Sequence, residues 1–301
     1  MAHYTRKATT IDEQIAILAQ RGLAITNDKT TIQKLENIGY FKFKGYCFPF
    51  YATKDKFALK DADKGTKYTF EEIYQSYILD QKIHLLFFGL ASRIETQFKA
   101  RLGYYIATNY GPLGYQDDSL FRNEKLFNNW LVTLNSGQKN ATMRHELYVQ
   151  HYQHDYENDF PIWVVLEMSS FGNASKLYSD ISIADQKKFA KVYGQNYVYV
   201  KSWIHYMVTV RNYCAHNSRT FRRQFPVTPR IDNKEKRRTN KLTSGNLFSA
   251  LFVAKKMCKS KNFFEDTVDL LAQAFATFPL VDISYFGFPS DWRVILDALS
   301  V

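Results

Sequence analysis

Cysteine is scarce. Three residues, at 47, 214 and 258, stand far apart in a chain of 301. That spacing excludes a CxxC zinc knuckle and a disulfide framework. Glycine and proline are also few, at 13 and 7, which argues against many tight turns and favours helices. Long hydrophobic runs are missing. The greasiest stretch, LLFFGLA at 85–91, is far too short to span a bilayer and is followed by Arg93 and Glu95. The N-terminus MAHYTRKATTIDEQ lacks the apolar core that a signal peptide needs. The chain is therefore expected to be soluble and cytoplasmic, in a reducing compartment, with no membrane partner. No Gly-rich phosphate loop, GxSxG elbow or HExxH helix occurs, so the usual signatures of P-loop, α/β-hydrolase and zinc-peptidase chemistry are absent.

What is abundant is apolar and basic. The hydrophobic fraction is 46%, with 24 Phe and 21 Tyr, ample for a packed core. The net charge is +11 and the pI about 9.3. A basic excess of this size suits a polyanionic partner, of which nucleic acid is the usual one.

Helical patterns dominate. Thr10 and Glu13 form a capping-box pattern that starts a helix ending near Gly22. A second helix follows Asp28 through Ile32 and Leu35. IGYFKFKGYCFPFY, 38–51, reads as an irregular, well-packed connector. The polar stretch 54–69 is the best candidate boundary. It holds a near-miss for a calcium loop in Asp61, Asp63 and Glu72, but Gly65 falls one place early. Thr69 and Glu72 read better as the cap of the next helix. That helix runs from Phe70 to about Thr108, with Ile73, Phe87, Ile94 and Phe98 among its three- and four-residue steps. Segment 112–140 reads as loop-rich. Helices are expected again at 146–156, 162–178, 184–193, 197–217, 247–259 and 263–278. Pro226 and Pro229 should break any helix in 219–241. That segment holds nine Lys and Arg against two Asp and Glu, a net +7 of the total +11.

His151 and His154 stand beside Asp155, but no further ligand is close in sequence, so they read as surface histidines rather than a metal site. No metal and no cofactor are expected. The stretch VRNYCAHNSRTFRR, 210–223, carries more chemistry. Asn212 and His216 are four apart on one helix face, and Arg211 lies about 140° around the axis from His216. Histidine can move a proton near neutral pH. Arginine presents a fixed fork of donors suited to phosphate. Asparagine can hold an imidazole or a ribose hydroxyl. The bare Arg-x4-His spacing is weak, since about 0.3 matches arise by chance from 14 Arg and 7 His. Arg144 and His151 also match a looser version.

RNYCAHNSR resembles the Arg-x4-6-His motif of HEPN-superfamily ribonucleases. IGYFKFKGYCFPFY at 38–51, RIETQFKARL at 93–102, PIWVVLEMSSFG at 161–172 and YFGFPSDW at 285–292 together resemble the bacterial abortive-infection (Abi) family of the AbiD/AbiF kind. The resemblance implies an all-α, HEPN-like helical bundle and a metal-independent RNA endonuclease used in phage defence. With the polar boundary, three parts are expected: a small, mainly helical N-terminal accessory module at 1–65, either RNA-contacting or a packing appendage, the HEPN-like domain at 66–241 with its basic segment 219–241, and a helical extension at 242–301 packed on the bundle. Arg211 and His216 match the motif's Arg and His, and Asn212 its polar residue. Glu95 is the candidate acid near the site, or else a partner for Lys99. Such sites are composite, so a homodimer is implied, and a bound small noncoding RNA is a further implied partner. The expected RNA-binding residues are Arg219, Arg222, Arg223, Arg230, Lys234, Lys236, Arg237, Arg238 and Lys241. The alternative is a non-catalytic protein that sequesters or senses RNA.

Overall fold

Thr10 accepts from the backbone of Glu13, and the Glu13 carboxylate accepts from Thr10 in return. This closes two of the four donors that a helix start leaves open. The computed structural model describes residues 3, 5, 7–54, 56–242 and 245–299. Within them the chain is an all-α bundle. Its helices are α1 (Ile11–Gln20), α2 (Lys29–Ile38), α3 (Tyr40–Cys47), α4 (Phe70–Tyr110), α5 (Glu124–Met143), α6 (Leu147–Asp155) and α7 (Ile162–Met168). They continue as α8 (Phe171–Asp180), α9 (Ile183–Ala190), α10 (Tyr197–Ala215), α11 (Asn233–Arg238), α12 (Leu247–Met257), α13 (Lys261–Thr277) and α14 (Trp292–Ala298). Four short strands form two small antiparallel ladders between α3 and α4: β1 (Tyr51–Thr53) with β2 (Lys56–Phe57), and β3 (Leu59–Asp61) with β4 (Thr66–Lys67).

The long helix is the frame. Its 41 residues span about 60 Å at ~1.5 Å per residue. Thr69 and Glu72 cap it reciprocally, and Lys60 pairs with the same Glu72 carboxylate. Asp61 turns its carboxylate onto the backbone N–H groups of Asp63 and Lys64. At its far end α4 stops at Gly111, whose φ of 85° few other residues adopt. Helix α4 packs on α3, α7, α10, α12 and α13. Gly103 lets α7 come close, since a Cβ there would lie 3.2 Å from Leu166 Cδ1. Phe98 is fully buried and meets Tyr178 and Phe189 edge-on. Truncating such a ring costs about 3–5 kcal/mol. Below it, the buried Asp185 accepts from the hydroxyls of Tyr105 at 2.6 Å, Tyr110 at 2.8 Å and Ser182. Two α4 hydroxyls therefore knit that helix to α9, and the third, from Ser182, caps α9 itself.

Four expectations need correction. The helix expected at 162–178 breaks at Ser169 and Ser170, both extended, and Ser170 caps α8 by accepting from Asn173 N–H. Residues 40–47 form helix α3, followed by a short 3-10 turn at Phe48–Phe50. Its buried face is Phe43, Tyr46 and Cys47, but Phe41 and Phe48 stand exposed, so aromatics on both faces hide the period. More than half of the expected loop 112–140 belongs to α5, which fully buries only Trp130 and Ala141 and so lacks a strong apolar stripe. Finally, α11 forms inside 219–241. Both prolines precede it, and Asp232 caps it by accepting from the Glu235 backbone.

Candidate functional site

Helix α10 begins at Asn196, whose side chain accepts from Val198 N–H. It turns Trp203, Ile204, Met207, Val210 and Cys214 into the core. The next residues around the helix are therefore on its open edge. Arg211 is 34% exposed there, and Asn212 is exposed beside it. The helix ends at His216, whose backbone N–H reaches Asn212 O at 3.0 Å. Asn217 then turns the chain with a φ of 51°, a left-handed conformation that asparagine tolerates. The His216 side chain is exposed, with no hydrogen bond or ion pair among the described residues.

Glu95 from α4 meets both of its expected neighbours. One carboxylate oxygen lies 2.8 Å from Lys99 Nζ, and the other lies 3.6 Å from Arg211 Nε. The longer contact is an ion pair without a hydrogen bond, so Arg211 Nε is a buried donor with no acceptor. The guanidinium also touches Asn212 Oδ1 at 3.4 Å and sits 5.8 Å from the Phe88 ring centre. It faces a cavity of about 430 Å³ together with Glu95, Lys99, Arg144, Glu167 and Asn173. A neighbouring cavity of about 470 Å³ shares Glu95, Lys99 and Glu167. His216 does not line either one. Arginine and histidine thus share a helix but open to different surroundings within one chain.

The turn after His216 is held from beneath. Asp80 on α4 is fully buried and accepts from Tyr46 OH at 2.7 Å, from Thr220 N–H at 3.1 Å and from the Thr220 hydroxyl. His84 Nε2 lies 3.2 Å from the same carboxylate, though neither ring nitrogen is aligned for a hydrogen bond. Burial, then the Asp80 charge, pushes the Tyr46 phenol far above its ordinary value. The same two causes push the buried Cys214 thiol up to about 12, so it is an inert thiol. Lys42 Nζ reaches Asn217 O at 3.5 Å. Burial lowers Arg219, which packs on Gly45 and donates to Phe221 O at 3.1 Å.

The other basic residues have several settings. Arg222 and Arg223 are exposed over the rings of Tyr285 and Tyr213 and line a cavity of about 480 Å³. Arg230 faces a separate cavity with Lys176 and Lys201. Arg238 leans on Glu235 at 3.5 Å and on Ala298 O. Lys234, Lys236, Arg237 and Lys241 are exposed. Elsewhere, His151 and His154 both contact the Asp155 carboxylate in the open. Among the described residues, no group of three or more His, Cys, Asp or Glu is arranged to hold a metal ion.

Asp80 and Glu167 are not singled out by the sequence, and Arg144 is met there only in the looser Arg-His spacing. Glu167 lies inside the block PIWVVLEMSSFG but carries no spacing that singles it out. Arg144 is a surface residue, 60% exposed, and only its place in the cavity lining, beside Arg211, is new. Nothing local marks Asp80, whose partners are 34 and 140 residues away.

Among the described residues no helix is long and apolar enough to cross a membrane. No curated protein and no solved structure matches the chain significantly. A family profile described as Abi-like protein matches residues 33–222, more than half of the sequence and inclusive of Asp80, Glu95, Arg211 and His216. The chain belongs to the Abi-like protein family, and this membership supports a role in phage defence by abortive infection.

Proposed function

We propose that the protein is a HEPN-type endoribonuclease whose site is built on the end of α10. The observation that carries this reading is the presence of two accessible groups on one helix: an exposed imidazole at its cap and, one and a half turns earlier, a part-exposed guanidinium that borders a cavity. In this reading residues 66–241 carry the chemistry, 1–65 serve as an accessory module against the start of α4, and 242–301 are an extension packed on the bundle. The RNA 2′-hydroxyl attacks the adjacent phosphorus while His216 removes its proton. A second donor, His216 of a second copy, protonates the leaving 5′-oxygen. Arg211 stabilises the charge on the non-bridging oxygens. The products carry a 2′,3′-cyclic phosphate and a 5′-hydroxyl, and DNA is spared because it lacks the attacking group. This route needs no metal.

A composite site fits the surroundings. Phe41 is 91% exposed and adjoins Lys42, and Leu85 is 74% exposed one turn from Phe88. Such side chains suit burial against a second copy. The test is to incubate the protein with single-stranded RNA in EDTA. Cleavage that persists, and that disappears in His216→Ala, supports the reading. Cleavage that stops with the chelator, or survives the substitution at full rate, ends it.

The separation of His216 from the Arg211 cavity favours a second reading, a non-catalytic protein that holds RNA by backbone contacts and stacking. Under it, purified protein retains bound RNA, and a protein carrying Arg211→Ala and His216→Ala supports defence as well as wild type does.

A further inference from the structure

Towards the start of α10, a cavity of about 730 Å³ opens between α8, α9, α10 and the segment before α11. Three cations reach it from three separate elements: Lys176 from α8, Lys201 from α10 and Arg230 from that segment. No carboxylate forms an ion pair with any of the three among the described residues. The Asp180 carboxylate acts on Lys201 and Lys176 at longer range, while its ion pair is with Arg122 at 3.5 Å. At the cavity's base Ser175 is only 4% exposed, and its hydroxyl makes no hydrogen bond among the described residues. Helical serines commonly turn back onto the carbonyl four residues earlier, as Ser169 does to Val165 at 2.8 Å. Ser175 instead leaves its hydroxyl open to the cavity it lines, where a ligand or water can answer it. Ile183, Val198 and Val208 form apolar wall, with the Tyr197 ring among the lining residues.

We infer that this cavity binds a nucleotide, with its phosphate on Lys176, Lys201 and Arg230 and its base against the apolar wall beside Tyr197. A bare phosphate would fill little of the space, and the rest suits a flat heterocycle. Ser175 then meets a polar edge of the base or the ribose. Lys201 agrees with this assignment. Burial lowers its pKa, Arg122 and then Arg230 lower it further, and Asp180 offsets them only in part, so an arriving phosphate adds the negative charge this cation is short of. The nucleotide is either a free mononucleotide or one unit of an RNA strand. The inference does not rest on the cleavage reading, because none of Arg211, Asn212 and His216 lines this cavity.

The test is calorimetric titration of the full chain with the four nucleoside 5′-monophosphates, the matching nucleosides and a ten-residue oligouridylate. All are run on wild type, on Arg230→Glu, on Lys176→Glu and on the Arg211→Ala, His216→Ala protein. At least one monophosphate should bind, its nucleoside about tenfold or more weakly. Each charge reversal should weaken binding about tenfold to a hundredfold. The double alanine protein should bind the monophosphate as wild type does, whether or not it cleaves RNA. Monophosphate binding without oligouridylate binding assigns a free nucleotide. Oligouridylate binding that both charge reversals weaken, with no monophosphate binding, assigns an RNA strand. Absence of both, or binding that neither Arg230→Glu nor Lys176→Glu weakens, overturns the inference. Both residues are exposed, so the folded state tolerates either change, and a melting curve confirms it.

Discussion

Two carboxylates on the same helix do opposite work. Asp80 and Glu95 both reach from α4 towards α10 or the turn beyond it. Asp80 is closed: it is fully buried, and Tyr46 and Thr220 give it three hydrogen bonds. Glu95 is open: it is 14% exposed, holds Lys99 closely and Arg211 loosely, and borders two cavities. A saturated buried acid specifies where a turn goes. A part-satisfied acid at a cavity edge positions a cation and leaves that cation a free donor. The difference separates the residues that fix the turn after His216 from the residues that border the cavities.

The largest expected effect tests the closed acid. Asp80→Ala leaves the Tyr46 hydroxyl and the Thr220 donors buried without an acceptor, and should cost about 3–5 kcal/mol in denaturant unfolding. A loss below about 1 kcal/mol would mean the network is not holding the turn. Next, Arg211→Ala should lower RNA cleavage by about 10²–10³ while the melting temperature stays within a degree or two. Equal losses of stability and activity would erase the contrast between the two acids.

Asp185 offers a third, also closed, carboxylate. Burial raises its pKa, but hydrogen bonds from Ser182, Tyr105 and Tyr110 outweigh burial and hold it below its usual 3.8. A depressed carboxyl contributes stability that is present above its unfolded pKa and is lost as pH falls through the lower folded value. Asp185→Asn should therefore be about 1–3 kcal/mol less stable at neutral pH, with a smaller further loss between pH 5 and 3, read from urea midpoints across that range. Smallest is Glu95→Gln. With both partners part-exposed, its stability cost should stay within about 1 kcal/mol. Cleavage should still fall severalfold, because Arg211 loses its nearest anchor; unchanged cleavage would remove Glu95 from the site.

Much of this was legible in the chain itself. The caps at Thr10, Asp28 and Thr69 are spelled by residues three apart, and the apolar steps of α4 and α10 follow the helical period, so those elements could be read directly. Helix α3 could not be, because aromatics occupy its exposed as well as its buried positions. Helix α5 could not be, because few of its side chains are buried. At the candidate site, Arg211, Asn212 and Glu95 were legible as residue types on helices, and the Glu95–Lys99 pair follows from a four-residue step. What the sequence could not disclose is the company they keep. Arg144 and Glu167 join Arg211 only because α7 packs on α4 and α5 packs on α7 and α8, and Asp80 is joined to Thr220 only because α10 packs along α4.

One detail of the α10 surface bears on how a ligand would be met. Arg230 sits in a stretch with no helix of its own, yet its backbone N–H donates to Ser202 Oγ at 2.9 Å and its carbonyl accepts from Trp203 Nε1 at 2.7 Å. The main chain at that point has thus surrendered its freedom during folding, fastened on both sides to consecutive residues of α10. An anion arriving at the guanidinium needs to still only a few side-chain torsions rather than a whole loop. The entropic cost of capture is correspondingly that of one long side chain, about 2 kcal/mol at most.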